Sequence, residues 1–214
     1  MRVVIAGGHG QIALLLERVL SERGDTPVGI VRNPEHVRDL EAVGAEAVVL
    51  DLEEADTTAV ADVLSGADAV VFAAGGGPNS GAARKETVDK GAAVLLAEAA
   101  EQAGVRRYVM ISSMGTDKAD PESDDVFQVY LRAKKAADDD LRARDLDWTI
   151  VRPGRLTDEP GAGRVQVGSL SRGEIPRADV AAVIAAALRS DATVRAEFDL
   201  LSGHQTVDAA LAGL

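Results

Sequence analysis

Short runs of β-branched and aliphatic residues alternate along this chain with longer amphipathic segments. The runs cover residues 2–6, 27–32, 45–50, 69–73, 107–112 and 148–152. They are nearly continuous in Val, Ile and Leu, the pattern of strands buried on both faces of a parallel sheet. Between them, residues 11–23, 34–43, 57–65, 81–103 and 125–144 carry helical spacing. Gly24, Gly44, Gly66 and Gly104 each follow a helical segment, where glycine supplies the left-handed residue that ends a helix. The fifth segment has no such glycine, and Asp145 or Asp147 is expected to serve instead.

Repeated β-α units of this kind require right-handed crossovers and fold into an α/β, Rossmann-type doubly wound parallel sheet. The expected strand order is 3-2-1-4-5-6, with helices on both faces and a seventh strand, residues 197–201, at the edge. The 214 residues suffice for one domain with a full core and leave little for a second. Two stretches interrupt the alternation: 75–82, with three consecutive glycines, Pro78 and Gly81, and 153–177, rich in Gly, Pro and charge. Both follow strand ends, on the side of an open α/β sheet where ligands bind. The second is read as a small substrate-side lobe.

Composition narrows the function classes. Hydrophobic residues make up 46% of the chain, an ordinary globular value. No apolar run is long enough to span a bilayer, and the apolar stretch at 3–6 is too short for a signal peptide, so a cytoplasmic location is expected. With no cysteine, disulfides, thiolate catalysis and Cys-based zinc sites are excluded. His9, His36 and His204 are far apart in sequence and show no ligand spacing, so no metal is expected. A formal net charge of −12 repels polyanions, and the basic pairs Arg106-Arg107 and Lys134-Lys135 are too small for a nucleic-acid footprint. Neither nucleic acid nor membrane is an expected partner.

The first turn reads Gly7-Gly8-His9-Gly10-Gln11-Ile12-Ala13, directly after strand one and opening helix one. Gly7, Gly10 and Ala13 form G-x-x-G-x-x-A. Small residues let the backbone turn tightly and approach a pyrophosphate, while the helix N-terminus offers unpaired N–H groups and partial positive charge. This context points to a dinucleotide, with His9 contributing backbone as an exposed loop residue. At the end of strand two, where NAD-binding chains carry an acid for the ribose 2′-hydroxyl, this one has Arg32, 22 positions beyond Gly10, followed by Asn33. Arginine cannot accept from a hydroxyl but pairs with a 2′-phosphate, which favours NADP(H) over NAD(H). Asp51, beside Leu52, either bonds the adenine amino group or caps the turn at Glu53 and Glu54. Ala73, Ala74 and Gly75 supply small residues where the pyrophosphate and nicotinamide ribose would pass.

Strand five ends at Ser112-Ser113, and the fifth helix contains Tyr130 and Lys134, four apart on one face. Such a lysine can assist a phenol and hold a ribose. The serine can donate to a substrate carbonyl, and the tyrosine can deliver the proton that completes hydride transfer. The alternative is that Tyr130 only packs. These segments, with GGHGQIA at 7–13, VRNPE at 31–35, VLDL at 49–52, VMISSMG at 109–115, YLRAKKAAD at 130–138, DWTIVRPGRLTDEPG at 147–161 and PRADVA at 176–181, resemble the short-chain dehydrogenase/reductase superfamily. The likeness is to its atypical single-domain NmrA-like and biliverdin/flavin-reductase-like members, and it covers essentially the whole chain. The resemblance implies a pyrophosphate over 7–13, a 2′-phosphate near Arg32, and Ser113, Tyr130 and Lys134 at the nicotinamide end, Ser113 being preferred to Ser112. It further implies that Pro153 and Gly154 line the nicotinamide carboxamide. Arg177 and Asp179 are expected to form a structural pair.

The leading expectation is an NADPH-dependent oxidoreductase acting on a small carbonyl, quinone or flavin-like molecule. Residues 153–177 are few and contain no aromatic side chain, so a shallow site is expected and a nucleotide-sugar epimerase is disfavoured. The other readings are a non-catalytic NADP(H) redox sensor and an epimerase with tightly bound NAD. Monomer and homodimer both remain open.

Overall fold

A computed structural model describes residues 1–77 and 80–214; Pro78, noted above, and Asn79 lie outside the described residues. The parallel strands are β1 (Arg2–Ala6), β2 (Thr26–Val31), β3 (Glu46–Val49), β4 (Ala69–Phe72), β5 (Arg107–Ile111), β6 (Asp147–Pro153) and β10 (Ala196–Ser202). Between β6 and β10 the chain forms β7 (Arg155–Thr157), β8 (Arg164–Gly168) and β9 (Glu174–Pro176), and β11 (Gln205–Thr206) follows β10. Among the described residues the main sheet has nine strands in the order β11-β8-β10-β6-β5-β4-β1-β2-β3. The expected 3-2-1-4-5-6 series is present. The seventh parallel strand adjoins β6 as expected but is not at the edge, because β8 pairs antiparallel on its far side and β11 pairs with β8. The 153–177 segment is thus partly woven into the main sheet, while β7 and β9 form a separate two-stranded ribbon.

The helices are α1 (Gln11–Glu22), α2 (Val37–Ala42), α3 (Thr57–Leu64), α4 (Ala82–Arg84), α5 (Ala93–Ala103), α6 (Val126–Arg142), α7 (Arg177–Ala187) and α8 (Val207–Leu211). A π-helical stretch, Lys85–Ala92, joins α4 to α5 into one helix. Alternation along each strand sorts the core into two layers. Val3, Ile5 and Val71 face α1 and α7, burying Leu16, Leu20, Val183 and Ile184. Val4, Ala6, Val70 and Phe72 face the other way onto α3, α5 and α6, burying Leu64, Leu96 and Leu141. Burial on both faces is the physical reason for the unbroken apolar runs.

Gly24, Gly44, Gly66 and Gly104 all have φ between 72° and 81°, as expected of helix stops. The expected aspartate stop after the fifth helix is not used. Ala143 ends α6 in right-handed geometry, Asp145 pairs with Arg106 and Arg195, and Asp147 begins β6. Arg177 and Asp179 do not pair with each other either. Arg177 bonds Asp158 at 2.6 Å, and the buried Asp179 carboxylate accepts the amides of Ala162 and Gly163, pinning the 153–177 segment to the start of α7.

Candidate functional site

The ends of β1 to β4 converge on a cavity of about 320 Å³. Gly7 stands at φ 81°, and a Cβ there would lie 2.6 Å from the Ala74 Cα, so only glycine permits this approach of β1 to β4. A Cβ at Gly8 would lie 2.7 Å from the Gly29 Cα. The Gly7 and Gly8 amides both donate to the Ile30 carbonyl, at 3.2 and 3.0 Å, which ties the turn to β2. Gly10 caps α1 with no side chain, and the first intrahelical bond is Leu14 N–H to Gly10 O at 2.9 Å. The amides of Gln11, Ile12 and Ala13 therefore have no helical acceptor and suit an anion at the turn.

Of the residues singled out in the sequence, Gly7, His9, Gly10, Arg32, Asp51, Leu52, Ala73, Ala74 and Gly75 line this cavity. Gly8, Gln11, Ile12 and Asn33 are not on the lining. Ile12 packs against the core, and the Asn33 side chain accepts the Glu35 amide and caps the short turn before α2. His9 is half-buried rather than exposed. Its ring stacks on His36 at 3.6 Å and its Nε2 lies 2.7 Å from Asp39, so two histidines distant in sequence meet beside the turn. No cluster of metal-ligating side chains occurs among the described residues. Asp51 accepts the Glu53 amide at 2.9 Å, the turn-capping arrangement, while it also faces the cavity. The small lining, the glycines that a Cβ would block and the acceptor-free amides all fit an extended dinucleotide.

Where β4 ends, a buried polar cluster supports the glycine loop. Asp89, on the π-helical stretch, accepts the Gly76 amide at 3.1 Å, and Lys85 donates to the Gly77 carbonyl at 2.6 Å. Lys134 is almost fully buried, donates to Ile111 O at 3.1 Å, and lies 3.5 Å from Asp89. Lys85, not singled out in the sequence, stands 5.3 Å from the centre of the Tyr130 ring. A π-helical turn inserts one residue into a helix, a feature that recurs at functional sites; here it carries Lys85 and Asp89.

The ends of β5 and β6 bound a second cavity, of about 1320 Å³, lined by Ser113, Tyr130, Pro153 and Gly154 together with residues of the 153–177 segment. Lys134 shares the helix with Tyr130 but is directed away from this lining, toward Asp89. Ser113 and Ser112 differ as their alternation requires. Ser113 reaches the cavity, while Ser112 is buried and donates to Asp138 at 2.9 Å. Burial raises the Asp138 carboxyl to about 6 against the lowering effect of Ser112, Arg152 and Lys134. Phe127, largely exposed, extends the aromatic wall beside Tyr130 with ring centres 6.0 Å apart. The cavity is larger than the shallow site expected from the short 153–177 segment, because α6 and β10 also wall it.

The sequence reading also missed Glu53 and Arg84 on the first cavity. Isolated charged residues carry no periodic signal, and only the fold brings positions 32, 53 and 84 together.

Comparison with known proteins follows the same lines. A family model described as NAD(P)H-binding matches residues 7–191. An uncharacterized sugar epimerase of Bacillus subtilis is 36% identical over 213 residues, 99% of each chain. A candidate NAD-dependent epimerase/dehydratase from Bacillus halodurans superposes with TM-score 0.92 at 38% identity, covering 100% of both chains. The oxidoreductase ylbE from Lactococcus lactis gives TM-score 0.89 at 27% identity, covering 100% of this chain and 96% of that one.

Proposed function

The chain belongs to the NAD(P)H-binding family, and on that premise we propose that it is an NADPH-dependent oxidoreductase that reduces a small carbonyl, quinone or flavin-like compound. The observation that carries the reading is the division of one sheet edge. The ends of β1 to β4 form a cavity built for a dinucleotide, and the ends of β5 and β6 form a second one holding Ser113 and Tyr130. In this reading the turn Gly7-Gly8-His9-Gly10 lets the backbone approach closely, and the acceptor-free amides of Gln11 and Ile12 hold the pyrophosphate. Arg32 faces the 2′-phosphate, with Asn33 shaping the turn behind it, and Asp51 and Leu52 face the adenine. Ala73, Ala74 and Gly75 border the path to the nicotinamide, where Pro153 and Gly154 face the carboxamide and Lys134, donating to the Ile111 and Ala74 carbonyls, braces the strand ends from behind.

A bound reduced nicotinamide supplies hydride. Ser113 donates a hydrogen bond to the substrate oxygen, and Tyr130 transfers its phenolic proton to that oxygen as the carbonyl carbon is reduced. The buried ammonium group of Lys85, 5.3 Å from the centre of the Tyr130 ring, favours this transfer by stabilising the phenolate it leaves. The chain is proposed to work in the cytoplasm, as a monomer or homodimer, with no nucleic-acid or membrane partner.

The test is turnover by wild type and Tyr130→Phe with NADPH and a panel of quinones, flavins and aldehydes. Loss of turnover in Tyr130→Phe with unchanged NADPH affinity supports the assignment; equal turnover removes Tyr130 from the mechanism. A second reading, an epimerase holding NAD tightly, draws on the name of the Bacillus subtilis relative and on the size of the second cavity. NAD that copurifies and is never exchanged would favour it. NADPH that binds tightly and is oxidised by no acceptor would instead mark a redox sensor.

A further inference from the structure

Glu53 is the point where three distant parts of the chain meet at the mouth of the first cavity. Its Oε2 accepts from Arg84 Nη2 at 2.9 Å and, at 3.4 Å, from Arg32 Nη1. Its Oε1 accepts from Thr87 Oγ1 at 2.7 Å. Arg32 comes from the end of β2, Glu53 from the loop after β3, and Arg84 from α4. All three line the cavity that the glycine turn closes. Arg84 also has a buried Nε with no hydrogen-bond partner among the described residues. A guanidinium offers five donors in a planar fork, and here one edge is engaged while part of the rest is unused.

Two guanidinium groups meet at the one Glu53 carboxylate, and the Asp51 carboxylate, which accepts the Glu53 amide, is on the same lining. The two nitrogens contact the same oxygen, so one small oxyanion can bridge them. A phosphate monoester has three terminal oxygens and carries about −1.5 to −2 charge near neutral pH, which matches two arginines better than one. In a doubly wound sheet the adenosine ribose lies at the end of β2, where Arg32 stands. Glu53 holds both guanidinium groups at that place, so little side-chain freedom is lost when an anion binds.

We propose that Arg84 is the second 2′-phosphate ligand of this site, and that Glu53 is a positioning residue that orients Arg32 and Arg84 as a pair. This rests on the reading of the first cavity as an NADP(H) site. It adds a specificity determinant from the fourth crossover, between β4 and β5, where sequence spacing from the glycine turn gives no hint of one. The rival assignment for Glu53 is an acceptor for the ribose hydroxyls of NAD, as carboxylates serve in NAD-specific sites. The two assignments differ in which nucleotide each variant affects.

The experiment is calorimetric titration with NADPH, NADH and 2′,5′-ADP of wild type, Arg32→Ala, Arg84→Ala, Arg84→Lys and Glu53→Gln, with melting temperatures measured in parallel. Expected is a loss of roughly tenfold or more in affinity for NADPH and 2′,5′-ADP in Arg84→Ala, as for loss of a charge-assisted contact, with NADH changed less than about twofold. Arg84→Lys, which keeps the charge and guards against a folding defect, should recover part of the loss. Glu53→Gln should leave NADH affinity unchanged and shift NADPH alone. Equal losses for NADPH and NADH in Arg84→Ala, or no loss, overturn the proposal. So does a Glu53→Gln variant that weakens NADH. If Arg32→Ala shifts the NADPH/NADH ratio and Arg84→Ala does not, only the role of Arg84 falls. If neither shifts it, or wild type prefers NADH, the NADP reading falls with it.

Discussion

Glu17 lies fully buried on α1 with neither carboxyl oxygen hydrogen-bonded among the described residues. It sits directly behind the nucleotide turn, since a Cβ built on Gly8 or Gly29 would come within 2.9 or 2.6 Å of its Oε1. Burial without a compensating cation pushes the carboxyl from its ordinary 4.5 up to about 8. At neutral pH the folded protein therefore keeps this proton and the unfolded chain releases it. Stability is greatest below the unfolded value near 4.5, falls as pH rises between the two, and levels off above about 8. Each pH unit in that window is worth about 1.4 kcal/mol, so from pH 5 to pH 7 this group alone removes about 3 kcal/mol. For a chain of this size that is roughly 6–12 °C in melting temperature. Glu17→Gln keeps the shape and cannot ionise. Urea or thermal unfolding of both proteins across pH 5–8 should show the wild type losing this increment and the variant not losing it, other titrating groups cancelling in the difference. Parallel pH curves would refute the reasoning, because they would mean that the carboxyl is solvated or paired in solution.

Gly7→Ala places a side chain at φ 81° and drives its Cβ against the Ala74 backbone, so it should cost about 1–3 kcal/mol in strain and abolish nucleotide binding, as read by chemical denaturation and titration. The Arg107 guanidinium, which burial pushes down to about 10, donates to the Asp147 and Ala187 carbonyls and to the hydroxyls of Thr149 and Thr193. Arg107→Ala strands those acceptors at the junction of β5, β6 and α7 and should destabilise by about 3 kcal/mol without changing nucleotide affinity; an affinity change would reveal coupling from the far end of the sheet.

The sequence was most legible where burial is symmetric. Strands covered on both faces must be apolar throughout, so β1, β4, β5 and β6 could be bounded to within a residue, and helix-ending glycines located the crossovers. β11 escaped notice because it has only two residues, and β8, though as long as β1, because it sits in a segment whose glycines and prolines read as loop. The π-helical stretch was invisible because one inserted residue barely disturbs an apolar period of 3.6. Glu17 was not singled out, since an acidic residue in an amphipathic segment gives no sign that its own position is turned inward. The cavity-lining backbone was legible from the glycines, whereas Lys85, Asp89, Glu53 and Arg84 act through contacts with partners far along the chain.

The proposed function requires the glycine turn of this family member to hold a nicotinamide dinucleotide with a 2′-phosphate. It is tested most directly by titrating the purified protein with NADPH and NADH in parallel, following nicotinamide fluorescence. Saturable binding of both is expected, with NADPH the tighter by roughly tenfold or more and the preference lost in Arg32→Ala. Binding of NADH equal to or tighter than NADPH would contradict the 2′-phosphate assignment, and binding of neither would contradict the reading of the turn itself.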